Sequence, residues 1–309
     1  MTVGQVERTE GMVAAVALAN ADQARPAKVS PARLGQALRQ LVASVKFQTW
    51  KAAAAPASAT EWMAESYYQQ SQSNLERALA AAWSALGQSP EFAFAWERVA
   101  ELEFGNGHPD DALTALEMAL HLAPRNAQAL ALKGFLLSAQ NKISEAISYF
   151  DRAIETDGAL SNGWLGRGLC RIRQGKAEEG RQDLQMAATL EPQRAVLRSY
   201  LGKAFSQVGD QRRAANELKL AKKLDPNDPT SWLYSALLNQ QQNRVNEAVR
   251  DLERSQELNP NRRVYRSQLL LDQDRAVRSA NLASVYEDAG MAEVSAREAS
   301  RAVGADYAN

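Results

Sequence analysis

The chain has 309 residues, 45 % of them apolar, with 36 basic and 36 acidic side chains and no net charge. Balanced charge excludes the basic face that general nucleic-acid binding needs and the polybasic tether of a membrane-surface protein. A single cysteine, Cys170, excludes an intramolecular disulfide, and no apolar run reaches the roughly 20 residues that span a bilayer, so membrane insertion is not expected.

Residues 1–58 form an N-terminal segment of their own. Its longest apolar stretch, Met12 to Ala19, precedes Ala19-Asn20-Ala21, but Glu7 and Glu10 stand against the single Arg8, whereas an export signal starts basic. The default expectation is therefore a cytoplasmic location, with the periplasm or cell envelope as the alternative. Val3 to Ala17 mixes apolar and polar residues and reads as a strand or as disorder. Ser30-Pro31 is a helix start, serine as N-cap and proline at the first helical position. Leu34, Leu38, Leu41, Val42 and Val45 follow at helical spacing, so a helix over 31–47 is expected to dock on what comes next. Residues 51–60, with a run of alanines and Pro56, read as a linker.

From residue 59 the chain repeats every 34 residues. Pro90, Pro124, Pro192, Pro226 and Pro260 keep that period, with Gly158 in the missing slot. Ala78, Ala112, Ala146, Ala214 and Ala248 keep it too, with Gly180 in the gap, as do Ala85, Ala119, Ala153, Ala187, Ala221 and Ser255. Leu116, Phe150, Leu184, Leu218 and Leu252 supply the bulk between them, and Trp62, Trp96, Trp164 and Trp232 stand near the start of units. Six units begin at residues 59, 93, 127, 161, 195 and 229, an insertion covers 263–275, and a degenerate unit runs from 276.

These series resemble the tetratricopeptide repeat, whose signature is W-x2-L-G-x2-Y, then A-x3-F, A and P. The resemblance implies an all-α fold, an α-solenoid of helix-turn-helix repeats wound into a superhelix. The physics agrees with the residue types. Small residues let helix axes approach, and the large one beside them fills the space. Gly107, Asn141, Gly175, Gly209, Asn243 and Gly290 fall where the turn between paired helices needs φ > 0. A proline follows five of the six second helices. A single pair cannot bury its own apolar face, so neighbours must stack.

Near the C-terminal end, Val264-Tyr265-Arg266-Ser267-Gln268-Leu269-Leu270-Leu271-Asp272 and Arg278-Ser279-Ala280-Asn281-Leu282-Ala283 resemble, more weakly, part of large bacterial envelope proteins. Those proteins join a FecR-like β domain to tetratricopeptide repeats. On that resemblance residues 3–30 would be the tail of a β domain, and the chain a structural spacer within an envelope assembly.

Within each first helix, at 100° per residue, positions 4, 7, 8 and 11 point inward and positions 2, 5, 6, 9, 12 and 13 lie opposite. The family resemblance makes that opposite face the lining of a concave groove that holds partner segments. Here it carries Phe94, Glu97, Arg98 and Glu101, then Leu132 and Phe135, then Leu165, Leu169, Ile172 and Arg173, then Tyr200 and Lys203, then Tyr234 and Leu237. A contiguous apolar patch of this kind marks an interaction site. The expected function is a protein-interaction scaffold or adaptor for an apolar or amphipathic partner segment. Self-occlusion by residues 1–58 or the insertion, and ordinary partial burial, compete with that reading. The carboxylate clamp of chaperone-binding relatives is not expected, since Ala131, Leu132, Leu165 and Gly166 stand at the corresponding positions.

No enzyme chemistry, metal, cofactor or small-molecule substrate is expected. His108 and His121, the only histidines, lie on different faces and make no helical metal pair. Cys170 has no histidine placed to activate it. Gly163-x-x-Gly166-x-Gly168 follows no strand and does not match a dinucleotide fingerprint; Gly168 is the small residue of the repeat.

Overall fold

The structure, a computed structural model, describes residues 31–46, 48–51, 54–72, 74–258, 279–288 and 290–305. The readings of residues 3–30 as a β remnant, of Ser30 as a cap and of 263–275 as an insertion lie outside the described residues. Every regular element among the described residues is a helix, and most consecutive helices within each unit pack against one another. The chain forms two compact units, residues 1–129 and 130–309.

The first unit contains α1 (Pro31–Val45), α2 (Ala59–Ser71), α3 (Leu75–Gln88), α4 (Ala93–Asn106) and α5 (Pro109–Leu122), each packed on the next. A capping box starts α2. Ser58 Oγ accepts from the Glu61 amide and the Glu61 carboxylate accepts from the Ser58 amide, so two otherwise unpaired donors are satisfied. α1 does dock on α2, but not through its leucines: Ala37, Gln40, Ala43 and Ser44 are buried while Leu38 is 38 % exposed. Small side chains allow close approach, and polar anchors fix the pairing, Arg33 Nε to Glu61 Oε1 at 2.7 Å and Gln40 to Glu65.

The second unit holds most of α6 (Ala127–Ala139), then α7 (Ile143–Thr156), α8 (Ser161–Arg173), α9 (Ala177–Leu190), α10 (Ala195–Gln207), α11 (Gln211–Leu224), α12 (Pro229–Gln241), α13 (Val245–Glu257), α14 (residues 279–288) and α15 (Ala292–Ala305). The periodic small and bulky residues form its interior: Ala146, Ala214, Ala248, Ala153, Ala187, Ala221, Ser255, Phe150, Leu184, Leu218 and Leu252 are all buried. Two crossings show why glycine recurs. The Phe150 ring lies against Gly134 and Gly166, where an added Cβ would stand 2.7 and 2.1 Å from ring carbons. Gly168 and Gly180 face each other so closely that a Cβ on either would meet the other's carbonyl oxygen at 2.9 or 2.6 Å.

All six turn residues read from the sequence have positive φ, from 57° at Asn243 to 84° at Gly107. Three of the tryptophans at the fourth position of a unit share one hydrogen bond. The indole N–H of Trp96, Trp164 and Trp232 donates to the carbonyl of Pro90, Gly158 and Pro226 respectively, at 2.8, 2.9 and 3.1 Å. Arg198 holds the same position and its Nε donates to the Pro192 carbonyl at 3.1 Å. The chain thus ties the loop before each of these helices to the helix's first turn, whether the donor is indole or guanidinium.

Candidate functional site

The face opposite the packing side of the first helices is not uniformly open. Position 5 of each unit is buried throughout: Met63, Glu97, Ala131, Leu165, Ser199 and Leu233. Position 9 is half-exposed throughout: Tyr67, Glu101, Phe135, Leu169, Lys203 and Leu237. The two positions differ by only 40° around a helix, yet in each repeat one is covered and the other is left half-open.

In the first unit, Phe94 is half-buried and sits edge-on to Phe92 at 6.3 Å. Arg98, expected on an open face, is 1 % exposed. Its Nε donates to Ser66 Oγ at 3.0 Å, its two terminal nitrogens reach Gln70 at 2.7 Å and Glu101 at 2.6 Å, and the guanidinium lies over the Tyr67 ring at 4.0 Å. The cation ties α4 to α2 and is not available to a ligand. Beside it, burial and then the neighbouring Glu101 charge push the Glu97 carboxyl up to about 8, against the opposing pull of its hydrogen bond from Asn126 and of Arg98.

In the second unit the apolar residues of the face come together. Phe135, Leu169, Ile172 and Tyr234 are partly exposed and pack on a buried cluster that includes Leu165, Leu184, Leu197, Tyr200 and Leu238. Phe135 meets Phe150 edge-on with ring centroids 5.0 Å apart. Tyr200 and Tyr234 stack across α10 and α12 at 5.6 Å. Leu237 packs with Tyr234 on the cluster formed by Leu233, Leu252, Leu282, Val285 and Tyr286, and Leu132 is half-buried. Leu165 and Tyr200, read from the sequence as open, are 7 % and 3 % exposed; they are the floor beneath the row and not its surface. Arg173 is exposed and donates to the Ser138 carbonyl at 3.3 Å, and Lys203 is half-buried with its ammonium 5.1 Å from the Tyr234 ring.

The groups that most resemble reactive chemistry are otherwise engaged. Cys170 is buried beside Ser138, and burial pushes its thiol up, away from the thiolate a nucleophile needs. Glu103, His108 and Asp111 gather ligand atoms within 4.8 Å at the turn between α4 and α5, a grouping that the histidine spacing did not announce. The His108 Nδ1 is already committed to Glu103 at 2.8 Å. Among the described residues no helix is long and apolar enough to cross a membrane.

The fold is thus an α-solenoid class of helix-turn-helix repeats. Residues 63–127, 98–161 and 136–195 match the family model described as the tetratricopeptide repeat. Two curated relatives share sequence with the chain. Anaphase-promoting complex subunit 3 of Schizosaccharomyces pombe is 27 % identical over 114 residues, 37 % of this chain and 17 % of the relative. The CTR9 homologue of Arabidopsis thaliana is 28 % identical over 116 residues, 37 % of this chain and 11 % of the relative. The chain therefore matches less than a fifth of either. Among solved structures, a crystal structure of the APC/C hetero-tetramer Cut9-Hcn1 superposes with a TM-score of 0.67 at 17 % identity, covering 81 % of this chain and 47 % of that one. A tetratricopeptide repeat protein from Parabacteroides merdae gives 0.52 at 18 % identity, covering 65 % and 78 %. At these identities the structural likeness shows the fold alone.

Proposed function

We propose that this chain is a non-enzymatic protein-interaction scaffold that holds an apolar or amphipathic segment of a partner protein on the first-helix face of its second unit. The observation that carries the reading is the half-exposed row Phe135, Leu169 and Leu237 with Tyr234, supported from below by buried Leu165 and Tyr200. Partly exposed aromatic and aliphatic side chains on a rigid floor offer apolar area to a partner at little ordering cost. The relative named as a subunit of a multiprotein complex supports the same general role. Phe94 and Arg98 are left out of the binding surface, and Leu132, Arg173 and Lys203 remain at its edge.

The test is capture from native lysate by the whole chain and by a Phe135→Glu/Tyr234→Glu variant, with equal helicity confirmed by circular dichroism. A partner held by the wild type and lost by the variant supports the reading. Equal capture by both removes binding from this face and favours the alternative of a spacer whose flanks bind.

A further inference from the structure

The charge distribution on this face narrows the kind of segment that fits it. From Leu130 to Gln241 the positions facing away from the packing side are Ala131, Leu132, Phe135, Ser138 and Ala139 on α6, then Asn162, Leu165, Gly166, Leu169, Ile172 and Arg173 on α8. α10 and α12 continue with Val196, Ser199, Tyr200, Lys203, Ser206, Gln207, Thr230, Leu233, Tyr234, Leu237, Gln240 and Gln241. None is a carboxylate, in a chain with 36 acidic residues. Two are cations. Several other cations of the unit are matched by carboxylates: Asp183 takes Arg167 and Arg171, Asp251 takes Lys222, and Glu217 takes Arg198. Among the described residues Arg173 has only a backbone carbonyl and Lys203 only the face of Tyr234.

Carboxylates return at one end. Asp288 on α14 accepts from Gln240 Nε2 at 2.9 Å, and Glu287 precedes it. Within the second unit the face is therefore cationic and apolar along α8 and α10 and acidic past α12.

Resting on the reading of this face as the binding surface, we propose that its occupant is an acidic amphipathic segment, apolar side chains on the Phe135–Leu169–Leu237 row and carboxylates on Arg173 and Lys203. The segment runs with its acidic part away from Asp288. Electrostatic complementarity of this kind sets partner choice and register more than raw affinity. The chain's own residues 259–278 carry five arginines against two aspartates, which is the wrong sign for this surface.

The test starts from a random peptide library displayed on phage and selected on the whole chain. Selected peptides are then synthesised and measured by fluorescence anisotropy. The expected result is enrichment of Asp and Glu between apolar residues, and affinity that falls with salt. An Arg173→Glu/Lys203→Glu variant should lose on the order of tenfold or more, and Lys-for-acid peptides should recover binding to it. Peptides lost with Phe135→Glu/Tyr234→Glu but without acid enrichment, and indifferent to Arg173→Glu/Lys203→Glu, overturn the charge inference and leave the binding face standing. Peptides indifferent to both variants overturn the face itself. Self-association in sedimentation that Tyr234→Glu abolishes, or displacement of the peptides by a synthetic 259–278 segment, makes the chain its own occupant and also overturns the proposal.

Discussion

Phe150 offers the sharpest check on the packing argument. Its ring is fully buried between Gly134 on α6 and Gly166 on α8, with Phe135 edge-on at 5.0 Å. Alanine at position 166 would place Cβ 2.1 Å from the ring, against roughly 3.5–4.0 Å for carbon atoms in contact. The ring cannot retreat by the missing distance, because Gly134 already meets it from the other helix. In an exposed helix, Gly→Ala stabilises by about 1 kcal/mol. Overpacking costs about 1–3 kcal/mol, and the deep overlap puts this site at the upper end. Gly166→Ala should therefore destabilise by about 2 kcal/mol although it improves helix propensity. Phe150→Leu makes room, so the double variant should be less destabilised than the sum of the singles by about 1 kcal/mol or more. Urea unfolding followed by far-UV circular dichroism measures all four proteins. A Gly166→Ala variant as stable as the parent, or strict additivity in the cycle, would refute the reasoning.

Glu97 should make stability fall as pH rises. Its folded value of about 8 lies above the ordinary 4.5, so the folded chain keeps a proton that the unfolded chain releases between those values, and the fold loses stability across that window. Glu97→Gln should flatten the dependence and stabilise the first unit at neutral pH by on the order of a few kcal/mol, read from thermal unfolding at a series of pH values; a steeper slope in the variant would sink the idea. Trp164→Phe keeps an aromatic ring but removes the indole donor to Gly158 along with part of the side chain's volume, and should cost at least about 0.5–1.5 kcal/mol in denaturant unfolding. Ser58→Ala breaks the capping box of α2 and should cost about 1 kcal/mol, with faster amide exchange confined to the first turn of α2.

Much of this architecture was legible because it rests on local rules repeated every 34 residues. A residue that must adopt positive φ is Gly or Asn, and the sequence names all six. A position where axes cross is small, and Ala146, Gly180, Ala214 and Ala248 read directly. What escaped was set by contacts between one element and the next, which the pattern along a single helix does not report. α1 carries a leucine stripe at helical spacing but docks through Ala37, Gln40, Ala43 and Ser44, because the partner surface of α2 presents Glu61 and Glu65 to it. The Glu103–His108–Asp111 grouping depends on a turn folding back, which spacing along one helix does not report.

The candidate face divides along the same line. A helical wheel gives the direction of a side chain and says nothing of how near the next first helix stands in that direction. Positions 5 and 9 are therefore equivalent on the wheel, and burial separates them: Leu165 is covered and Leu169 is half-open, one turn along the same helix. Successive first helices touch near their middles, where Tyr200 reaches Tyr234 and Arg98 reaches Ser66. Further along, position 9 is left half-open in every unit. That geometry puts the informative variation in one row. Position 5 answers to packing, so its identity constrains the fold. Position 9 runs Tyr67, Glu101, Phe135, Leu169, Lys203 and Leu237 and is half-exposed in each repeat, so it is burial, and not composition, that leaves these side chains open to a partner. Exchanging Lys203 for Leu should then leave unfolding unchanged within about 0.5 kcal/mol, as for surface substitutions, while altering which peptides the chain selects. A comparable loss of stability would return position 9 to the core and remove the basis for reading it as a binding row.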